Sequence, residues 1–151
     1  MEIRKIEENK DNFMDLLLLG DEQENMIRKY LSRGELYALY DDGLKTVSVV
    51  TQESEGVYEI KNIATYEEHQ GKGYGSSMMK YIIENYRNKC SLLLVGTGDN
   101  DKTLSFYKNR GFTYSHTVKD FFIDNYDHVM IEDGKQLKDM IYLKIDFSSS
   151  P

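Results

Sequence analysis

Cysteine, proline, histidine and tryptophan are scarce in this sequence. Its 151 residues include one cysteine, one proline, three histidines and no tryptophan. Because Cys90 has no second cysteine to pair with, an internal disulfide is excluded, and a reducing cytoplasm is the expected location. His69, His116 and His128 are widely spaced, so no structural metal site is recognisable and we expect no bound metal.

Long apolar stretches are also missing. No apolar run approaches the ~18 residues of a membrane-spanning helix, and the run Leu16 to Leu19 ends at Gly20. The segment Met1 to Lys5 lacks the apolar core of a secretory signal peptide. We therefore expect no membrane segment.

The sequence does provide enough apolar residues for a core, and an acidic charge. Its length falls within the ~100–200 residues typical of one domain, so a single domain over residues 1–151 is expected. Hydrophobic residues make up 40% and charged residues 30%, a globular composition. The net charge of −7 argues against a protein that binds nucleic acid by neutralising phosphates. It favours cationic small substrates only weakly, because a charged surface also serves solubility.

Hydrophobic periodicity predicts the order β-α-α-β-β-β-α-β-α-β-β. The predicted strands are 2–6, 36–40, 46–51, 57–65, 92–95, 112–123 and 137–147. The predicted helices are 11–19, 22–31, one from Gly75 through Tyr86, and one through 104–107 that Gly111 ends. Asp133-Gly134 is the expected turn before the last strand, and 148–151 the expected frayed tail. We expect an α+β fold of three layers, in which one mixed, mainly antiparallel sheet is flanked by helices.

A glycine-rich stretch lies between the third strand of the predicted meander and the helix that follows. It reads Gln70-Gly71-Lys72-Gly73-Tyr74-Gly75. Glycines at alternate positions let the backbone approach a ligand closely, and the positive end of the following helix dipole points at the same spot. The stretch therefore predicts a phosphate or pyrophosphate site. The alternative is a glycine-rich helix entry that binds no ligand.

Two familiar phosphate-binding motifs do not match this stretch. A P-loop needs glycine, four residues, and then Gly-Lys-Ser/Thr, a string that the sequence does not contain. A dinucleotide fingerprint needs Gly-x-Gly-x-x-Gly after a first parallel strand, whereas the spacing here is Gly-x-Gly-x-Gly after a meander. Both motifs are excluded.

The glycine stretch resembles a known coenzyme A loop. Gln70, Gly73 and Gly75 match the form Gln/Arg-x-x-Gly-x-Gly/Ala of the GNAT N-acetyltransferase superfamily. About thirty residues later, 104–112 resembles the second signature of that family, an aromatic helix that ends at Gly-Phe. The resemblance extends from about Leu36 to Phe112. The segments 96–98, 120–122, 132–134 and 139–140 resemble a bacterial subgroup of uncharacterised GNAT proteins.

This resemblance implies a GNAT-like acyl-CoA N-acyltransferase fold and acetyl-CoA as co-substrate. It implies direct transfer of the acetyl group to a primary amine through a ternary complex. The pyrophosphate would lie on the N–H groups of Gly71 to Gly75, and the pantetheine arm would pair as an added strand near Ile63 and Thr65. An N–H near Ile63 or Ala64 would stabilise the oxyanion. The residues expected to contact the coenzyme are Ile63, Ala64, Thr65, Gln70, Gly71, Lys72, Gly73, Tyr74, Gly75, Ser76 and Asn100.

Glu59 is the candidate general base. It precedes Gln70 by eleven residues, the separation at which many family members place a glutamate base. Such a base would take the proton that the amine loses, directly or through a water. The alternative is a solvent-facing strand carboxylate that pairs with Lys61 on the same face.

Tyr107 is the candidate general acid, because the family often places a tyrosine there that donates to the coenzyme A sulfur. The reference pKa of a phenol, ~10, is close to the ~8.5 of a thiol. The alternative is a core aromatic between Phe106 and Phe112. Asn100 either caps the second helix or contacts the pantetheine. His69 either touches a phosphate or is an exposed loop residue, and Cys90 gives little support to a covalent mechanism.

The C-terminal third of the sequence combines carboxylates and aromatic rings, which suits binding of a cation. The carboxylates are Asp120, Asp124, Asp127, Glu132, Asp133, Asp139 and Asp146, and the rings are Tyr114, Phe121, Phe122, Tyr126 and Tyr142. We expect a small cationic amine as acceptor, such as a polyamine-like or aminoglycoside-like molecule, or a lysine side chain. The alternative is a solvated sheet edge with the aromatics in the core.

Two other functions stay open from sequence. One is a protein lysine or N-terminal acetyltransferase, and the other is a non-catalytic regulatory module that binds acyl-CoA. The oligomeric state is open between a monomer and a homodimer.

Overall fold

The computed structural model describes residues 1–148, so residues 149–151 of the predicted tail lie outside the described residues. The chain divides into two compact units, one from Met1 to Ser91 and one that begins at Leu92. No helix among residues 1–148 is both long and apolar enough to cross a membrane.

The first unit contains four antiparallel strands in the order β1-β2-β3-β4. They are β1 (Glu2–Ile6), β2 (Glu35–Tyr40), β3 (Leu44–Ser54) and β4 (Val57–Thr65). Its α-helices are α1 (Met14–Gly20), α2 (Glu24–Leu31) and α3 (Tyr74–Tyr86), and two 3-10 helices span Lys10–Phe13 and Glu67–His69. The predicted three-stranded meander is confirmed.

The predicted helix 11–19 begins differently from the prediction. Asn9 lies in the left-handed region at φ 57°, and Asn12 N–H donates to Asn9 C=O at 3.0 Å. This i to i+3 bond makes the first turn a 3-10 helix, and the α-helix starts only at Met14.

The core of the first unit forms where α1 and α2 cover one face of the sheet. Leu16, Leu17 and Ile27 are fully buried there with Val47 and Val49. Each such side chain contributes about 1.5–3 kcal/mol of burial free energy. The predicted apolar stripe of α3, which includes Met78, Met79 and Ile82, is also buried, and α3 packs against β3 and β4.

Strand β4 carries one extra residue relative to β3. Val49 faces Asn62 and Val50 faces Ile60, so Lys61 has no partner of its own. This is a β-bulge, an irregularity that often lies beside active sites. A strict period of two would place residues 59 and 62 on opposite faces of the sheet. The bulge instead brings both to the face of Val49, because residues directly opposite each other in register share a face.

Two buried tyrosines connect α3 to the sheet. Tyr86 O–H donates to the Glu35 carboxylate, and the hydroxyls of Tyr37 and Tyr86 are 2.8 Å apart. Lys5 Nζ lies 2.6 Å from the same carboxylate. Burial alone would raise the pKa of Glu35, but donation from Lys5 and Tyr86 outweighs burial and lowers it. Glu35 is therefore charged at neutral pH.

Tyr86→Phe is expected to lower the free energy of unfolding by about 1–3 kcal/mol, because it removes one buried hydrogen bond to the Glu35 carboxylate and another to the Tyr37 hydroxyl. Urea titration at pH 7 measures the loss. The loss should shrink as the pH falls through the lowered pKa of Glu35, since the charged acceptor is then gone from the wild type as well. Tyr58→Phe is the control, because the Tyr58 ring only packs on Tyr86, with centroids 5.1 Å apart. Equal losses in both variants would contradict the prediction.

The second unit contains three antiparallel strands in the order β5-β9-β6 and a separate hairpin of β7 and β8. The strands are β5 (Leu92–Thr97), β6 (Thr113–Val118), β7 (Ile131–Glu132), β8 (Lys135–Gln136) and β9 (Met140–Asp146). The helices are α4 (Asp101–Lys108) and α5 (Phe121–Asn125). Gly111, which follows α4, has a φ of +101° and is the predicted end of that helix.

Two strand predictions in this unit are wrong in detail, whereas the turn predicted at Asp133-Gly134 is present. The strand predicted over 112–123 stops at Val118, because Asp120 turns into the left-handed region at φ 57° and its N–H donates to Asp139 Oδ1 at 2.8 Å. The last strand starts at Met140 instead of 137, because Leu137 packs in a small cluster with Phe122. Asp133 and Gly134, at φ 51° and 77°, form the turn of the β7-β8 hairpin.

Candidate active site

The predicted coenzyme loop has the backbone geometry of an anion site. Gly71 and Gly73 adopt φ values of +77° and +88°, which L side chains rarely adopt. A Cβ added at either glycine would meet nothing within 4 Å, so open space lies in front of the loop. Gly73 is the N-cap of α3 and offers no side-chain cap. The first N–H groups of a helix have no intrahelical acceptor and attract anions. The residues present therefore fit a pyrophosphate.

Both ends of this loop are held by hydrogen bonds. Gln70 Nε2 donates to Thr65 C=O at 3.0 Å, which ties the loop to the end of β4. Tyr74 O–H donates to Asp41 Oδ2 at 2.8 Å, which ties the start of α3 to the turn after β2. That donation lowers the pKa of Asp41. The side chains of Gln70 and Tyr74 thus position the loop, and the coenzyme contacts predicted for these two residues stay predictions.

His69 is not the exposed loop residue that one of its two alternatives expected. It is half-buried, with its ring centroid 6.5 Å from that of Tyr74 and its Nε2 3.4 Å from Lys45 Nζ. Its contact with a phosphate stays a prediction.

The three residues predicted to meet the pantetheine arm lie at the C-terminal end of β4. Ile63 faces Ser48, Ala64 faces Val47 and Thr65 faces Thr46 across β3. Ala64 is buried in the core beneath α1 and α2, whereas Ile63 and Thr65 are half-buried on the opposite face. Lys72 is exposed and Ser76 is half-buried. The coenzyme contacts of all five residues stay predictions.

Glu59 pairs with Lys61, as one alternative expected, but it is buried, and its role as a base stays a prediction. Its Oε2 lies 3.3 Å from Lys61 Nζ, so the predicted ion pair is present. The side chain does not face solvent, however, since only 7% of the residue is exposed. Burial raises the pKa of Glu59, and Lys61 opposes that rise only in part. A buried carboxylate whose pKa is raised is a better proton acceptor near neutral pH than an exposed one.

Asn62, next to the bulge, is a buried polar residue that sequence reasoning missed. Its Nδ2 donates to Leu17 C=O at 2.9 Å and to the Tyr30 hydroxyl at 3.1 Å. Among the described residues, Asn62 Oδ1 has no hydrogen-bond partner. A Cβ on Gly20 would lie 2.2 Å from that oxygen, so Gly20 is needed for this close approach as well as for ending α1. The only signal in the sequence was that Asn62 directly follows Lys61, so that two polar residues in a row break the polar-apolar alternation of the strand.

Tyr107, in the second unit, is packed as a core aromatic. Only 6% of the residue is exposed, and its ring meets Phe106 and Phe112 edge to face at 5.3 and 5.7 Å. Burial raises the pKa of Tyr107, and the charge of Glu132 adds to the rise. A raised pKa keeps the phenol protonated but makes complete transfer of its proton to a thiolate unfavourable. We therefore expect Tyr107 to donate a hydrogen bond to the coenzyme A sulfur without transferring its proton. This role stays a prediction.

Asn100 caps α4, which was one of its two predicted roles. Its Oδ1 accepts from Lys102 N–H at 3.0 Å and Thr103 N–H at 3.2 Å, while its Nδ2 donates to Asp133 at 2.8 Å. Because both the oxygen and the nitrogen of the Asn100 side chain already have partners, the pantetheine would have to compete with the N–H groups of α4 or with Asp133 for a hydrogen bond to Asn100. That contact stays a prediction.

The aromatic residues expected at the acceptor end mostly pack on one another. Phe122 is buried, and its ring lies 5.5 Å from Phe121 and 5.6 Å from Tyr126. These rings belong to a cluster with Met130 and Leu137, as the core alternative expected. Within residues 1–148, no group of three or more His, Cys, Asp or Glu side chains could hold a metal ion.

Comparison with known proteins decides the family. Residues 32–114, more than half of the chain, match the family model described as acetyltransferase (GNAT) domain. The chain belongs to the GNAT acetyltransferase family. An uncharacterised N-acetyltransferase of Bacillus subtilis, YvbK, is 36% identical over 143 residues, which cover 93% of this GNAT protein and 92% of YvbK. The prediction of an acetyltransferase is confirmed.

Solved GNAT structures share the fold over nearly the whole chain. An Elizabethkingia anophelis GNAT acetyltransferase with acetyl-CoA bound is 34% identical, with a TM-score of 0.91 over 96% of this chain and 97% of that one. A Bacillus subtilis acetyltransferase in complex with CoA is 35% identical, with a TM-score of 0.88 over the same shares. The predicted fold class is confirmed, and so is acetyl-CoA as the co-substrate of the family. The prediction of a single domain stays a prediction.

Proposed function

We propose that this GNAT enzyme transfers the acetyl group of acetyl-CoA to the primary amine of a small cationic molecule in the cytoplasm. Transfer is direct, within a ternary complex. The observation that carries the proposal is the buried carboxylate of Glu59 on β4, the strand that leads into the glycine loop. This one strand thus connects a proton acceptor with an anion site.

The loop binds the donor in this proposal. The N–H groups of Gly71 to Gly75 receive the pyrophosphate, and Lys72 adds a positive charge beside it. The bonds Gln70 to Thr65 and Tyr74 to Asp41 hold the loop in the binding geometry before the donor arrives, which reduces the entropy cost of binding.

Glu59 accepts the proton that the amine must lose on its way to an amide. The carbonyl carbon then forms its bond to nitrogen and loses its bond to sulfur. A backbone N–H near Ile63 or Ala64 stabilises the negative oxygen, and Tyr107 donates a hydrogen bond to the departing sulfur. The raised pKa of Glu59 supports its role, because a base acts best when its pKa lies near the working pH.

Acidic charge supports the choice of a cationic acceptor. The net charge of −7 attracts cations over distances of about a Debye length. Two carboxylates of the C-terminal third already accept hydrogen bonds within the protein, since Asp133 accepts from Asn100 Nδ2 and Asp139 accepts from the N–H of Asp120. The observed packing of Phe121, Phe122 and Tyr126 weakens the cation–π part of the proposal, so carboxylates are the main expected contacts.

A thiol-release assay with acetyl-CoA tests the function directly. One panel contains polyamines, aminoglycosides and simple alkylamines, and a second contains peptides with a lysine or a free N-terminus. Turnover confined to the first panel supports the proposal, and turnover confined to the second assigns a protein acetyltransferase. Tight acetyl-CoA binding without turnover in either panel indicates a non-catalytic module.

Tyr107→Phe is expected to lower kcat about 10-fold or less, because only a hydrogen bond to the departing sulfur is lost and such a bond is worth about 0.5–1.5 kcal/mol. KM for acetyl-CoA should not change. Steady-state kinetics at pH 7.5 measures both constants. Tyr81→Phe serves as control, because Tyr81 lies on α3, has no predicted part in the reaction, and packs its ring edge to face on Tyr37 at 5.6 Å. An unchanged kcat in Tyr107→Phe would make Tyr107 a packing residue only.

The oligomeric state is a separate proposal. Strand β6 is the last strand in its sheet order, and its Tyr114 and Val118 are exposed. Exposed edge strands pair readily with other strands, which favours a homodimer over a monomer. Light scattering during size-exclusion chromatography distinguishes the two states.

A further inference from the structure

Lys61 lies between two carboxylates. Its Nζ is 3.3 Å from Glu59 Oε2 and 3.7 Å from Glu53 Oε1. Glu53 is itself held in place, because its Oε2 accepts from Thr51 Oγ1 at 2.6 Å and lies 3.1 Å from Arg33 Nη1. The charge of Lys61 is therefore shared between a fixed carboxylate and the candidate base.

The location of these groups makes their charges effective. Lys61 is the bulge residue of β4, without a partner of its own on β3, and 22% of its side chain is exposed. The exposed side-chain fractions of Glu53 and Glu59 are 29% and 9%. Charges that are partly buried are screened less by water and salt than charges on the surface.

We propose that Lys61 is a positioning residue that sets the charge of Glu59, and that Glu53 limits this effect by holding part of the charge of Lys61. The inference deepens the proposed function and rests on Glu59 as the base. In this inference, neither Lys61 nor Glu53 contacts a reacting atom.

The neighbouring charges shift the pKa of Glu59 in opposite directions. Burial raises the pKa of Glu59, Lys61 and the more distant Arg33 lower it, and Glu53 raises it. Burial alone would raise the pKa of Glu53, but Thr51, Lys61 and Arg33 outweigh burial and lower it, so Glu53 is negative at neutral pH. Without Lys61, Glu59 would be protonated over more of the working pH range. Without Glu53, Lys61 would pair more strongly with Glu59, and Glu59 would be a weaker base.

Two variants should therefore shift the pKa of Glu59 in opposite directions. Lys61→Met keeps the aliphatic stem and removes the charge, so the pKa of Glu59 should rise by about one pH unit or more. Glu53→Gln keeps the shape and removes the negative charge, so that pKa should fall by about half a unit. Lys61→Arg retains the charge and should leave the pKa of Glu59 within about 0.3 pH units of the wild-type value.

Carbon-13 NMR of proteins labelled at the glutamate side-chain carboxyl measures these values without any substrate. The Glu59 signal is assigned by its loss in Glu59→Gln, and thermal unfolding confirms that each variant is folded. Lys61→Arg and Glu53→Gln test the inference even where Lys61→Met fails to fold. A Glu59 pKa that does not move, or that moves the same way in Lys61→Met and Glu53→Gln, overturns the inference.

The pH profile of kcat/KM then separates this inference from the proposed function. With spermidine and a simple alkylamine as probes, the acid limb should move with the NMR value, to higher pH in Lys61→Met and to lower pH in Glu53→Gln. An NMR value that moves as expected while the acid limb stays fixed keeps the charge coupling and rejects Glu59 as the base.

Discussion

Gly73→Asp is expected to weaken acetyl-CoA binding at least ~100-fold in isothermal titration. A carboxylate at this position would stand at the start of α3, in the space where the pyrophosphate is proposed to bind. Two like charges in contact cost several kcal/mol, and each 1.4 kcal/mol is a factor of ten in affinity. The residue would also occupy φ +88°, which costs an L residue about 1–2 kcal/mol of stability.

Two further variants separate charge from backbone strain. Gly73→Ala imposes the same strain without charge and meets open space, so its affinity loss should be much smaller than that of Gly73→Asp. Gly134→Asp adds the same carboxylate at φ +77°, where a Cβ also meets nothing within 4 Å, and should bind acetyl-CoA normally. Unchanged binding in Gly73→Asp would show that the loop is a structural turn without a coenzyme.

Glu59→Gln is expected to reduce kcat/KM at least ~100-fold while leaving the affinity for acetyl-CoA unchanged. General-base catalysis is worth about 10²–10⁴-fold, and the amide cannot accept the proton. In the wild type, activity should fall as the pH drops through the raised pKa of Glu59, above the ~4.3 of an ordinary glutamate, because only the carboxylate is a base. The variant should lose this acid limb.

The matched control for this prediction is Glu55→Gln. Glu55 lies in the turn between β3 and β4 and is exposed, so the substitution makes the same change in charge without touching the buried carboxylate. Its kcat/KM and pH profile should equal those of the wild type. A Glu59→Gln enzyme that keeps full activity at pH 7, or that keeps the acid limb, would end the assignment of Glu59 as the base.

Local patterns predicted most of the helices and strands. The strands 2–6 and 57–65 were predicted with the bounds that the structure shows. Over 57–65, a run with β-branched and aromatic residues follows the turn at Gly56 and favours extended backbone. The apolar stripe of α3 was also predicted correctly, because side chains three and four residues apart share a helix face. The strand predicted over 112–123 was wrong beyond Val118, because a short apolar run such as 121–123 does not distinguish strand from helix. A single contact, Asp120 N–H to Asp139, ends the strand there.

The sequence by itself determined the position of the glycine loop, because a glycine turn between a strand and a helix depends on residue types at short spacing. Its resemblance to the GNAT family predicted the family and the fold, which the comparisons confirmed. The pairing of Glu59 with Lys61 was also predicted, but only the tertiary structure decided the burial of Glu59 and its other charged neighbours. The bulge at Lys61 depends on how β4 pairs with β3, and the cluster of Lys61, Glu53 and Arg33 depends on segments far apart along the chain. The burial that raises the pKa of Glu59 is likewise a property of the folded core. No pattern of neighbouring residues encodes such contacts, because they exist only after distant segments have packed together.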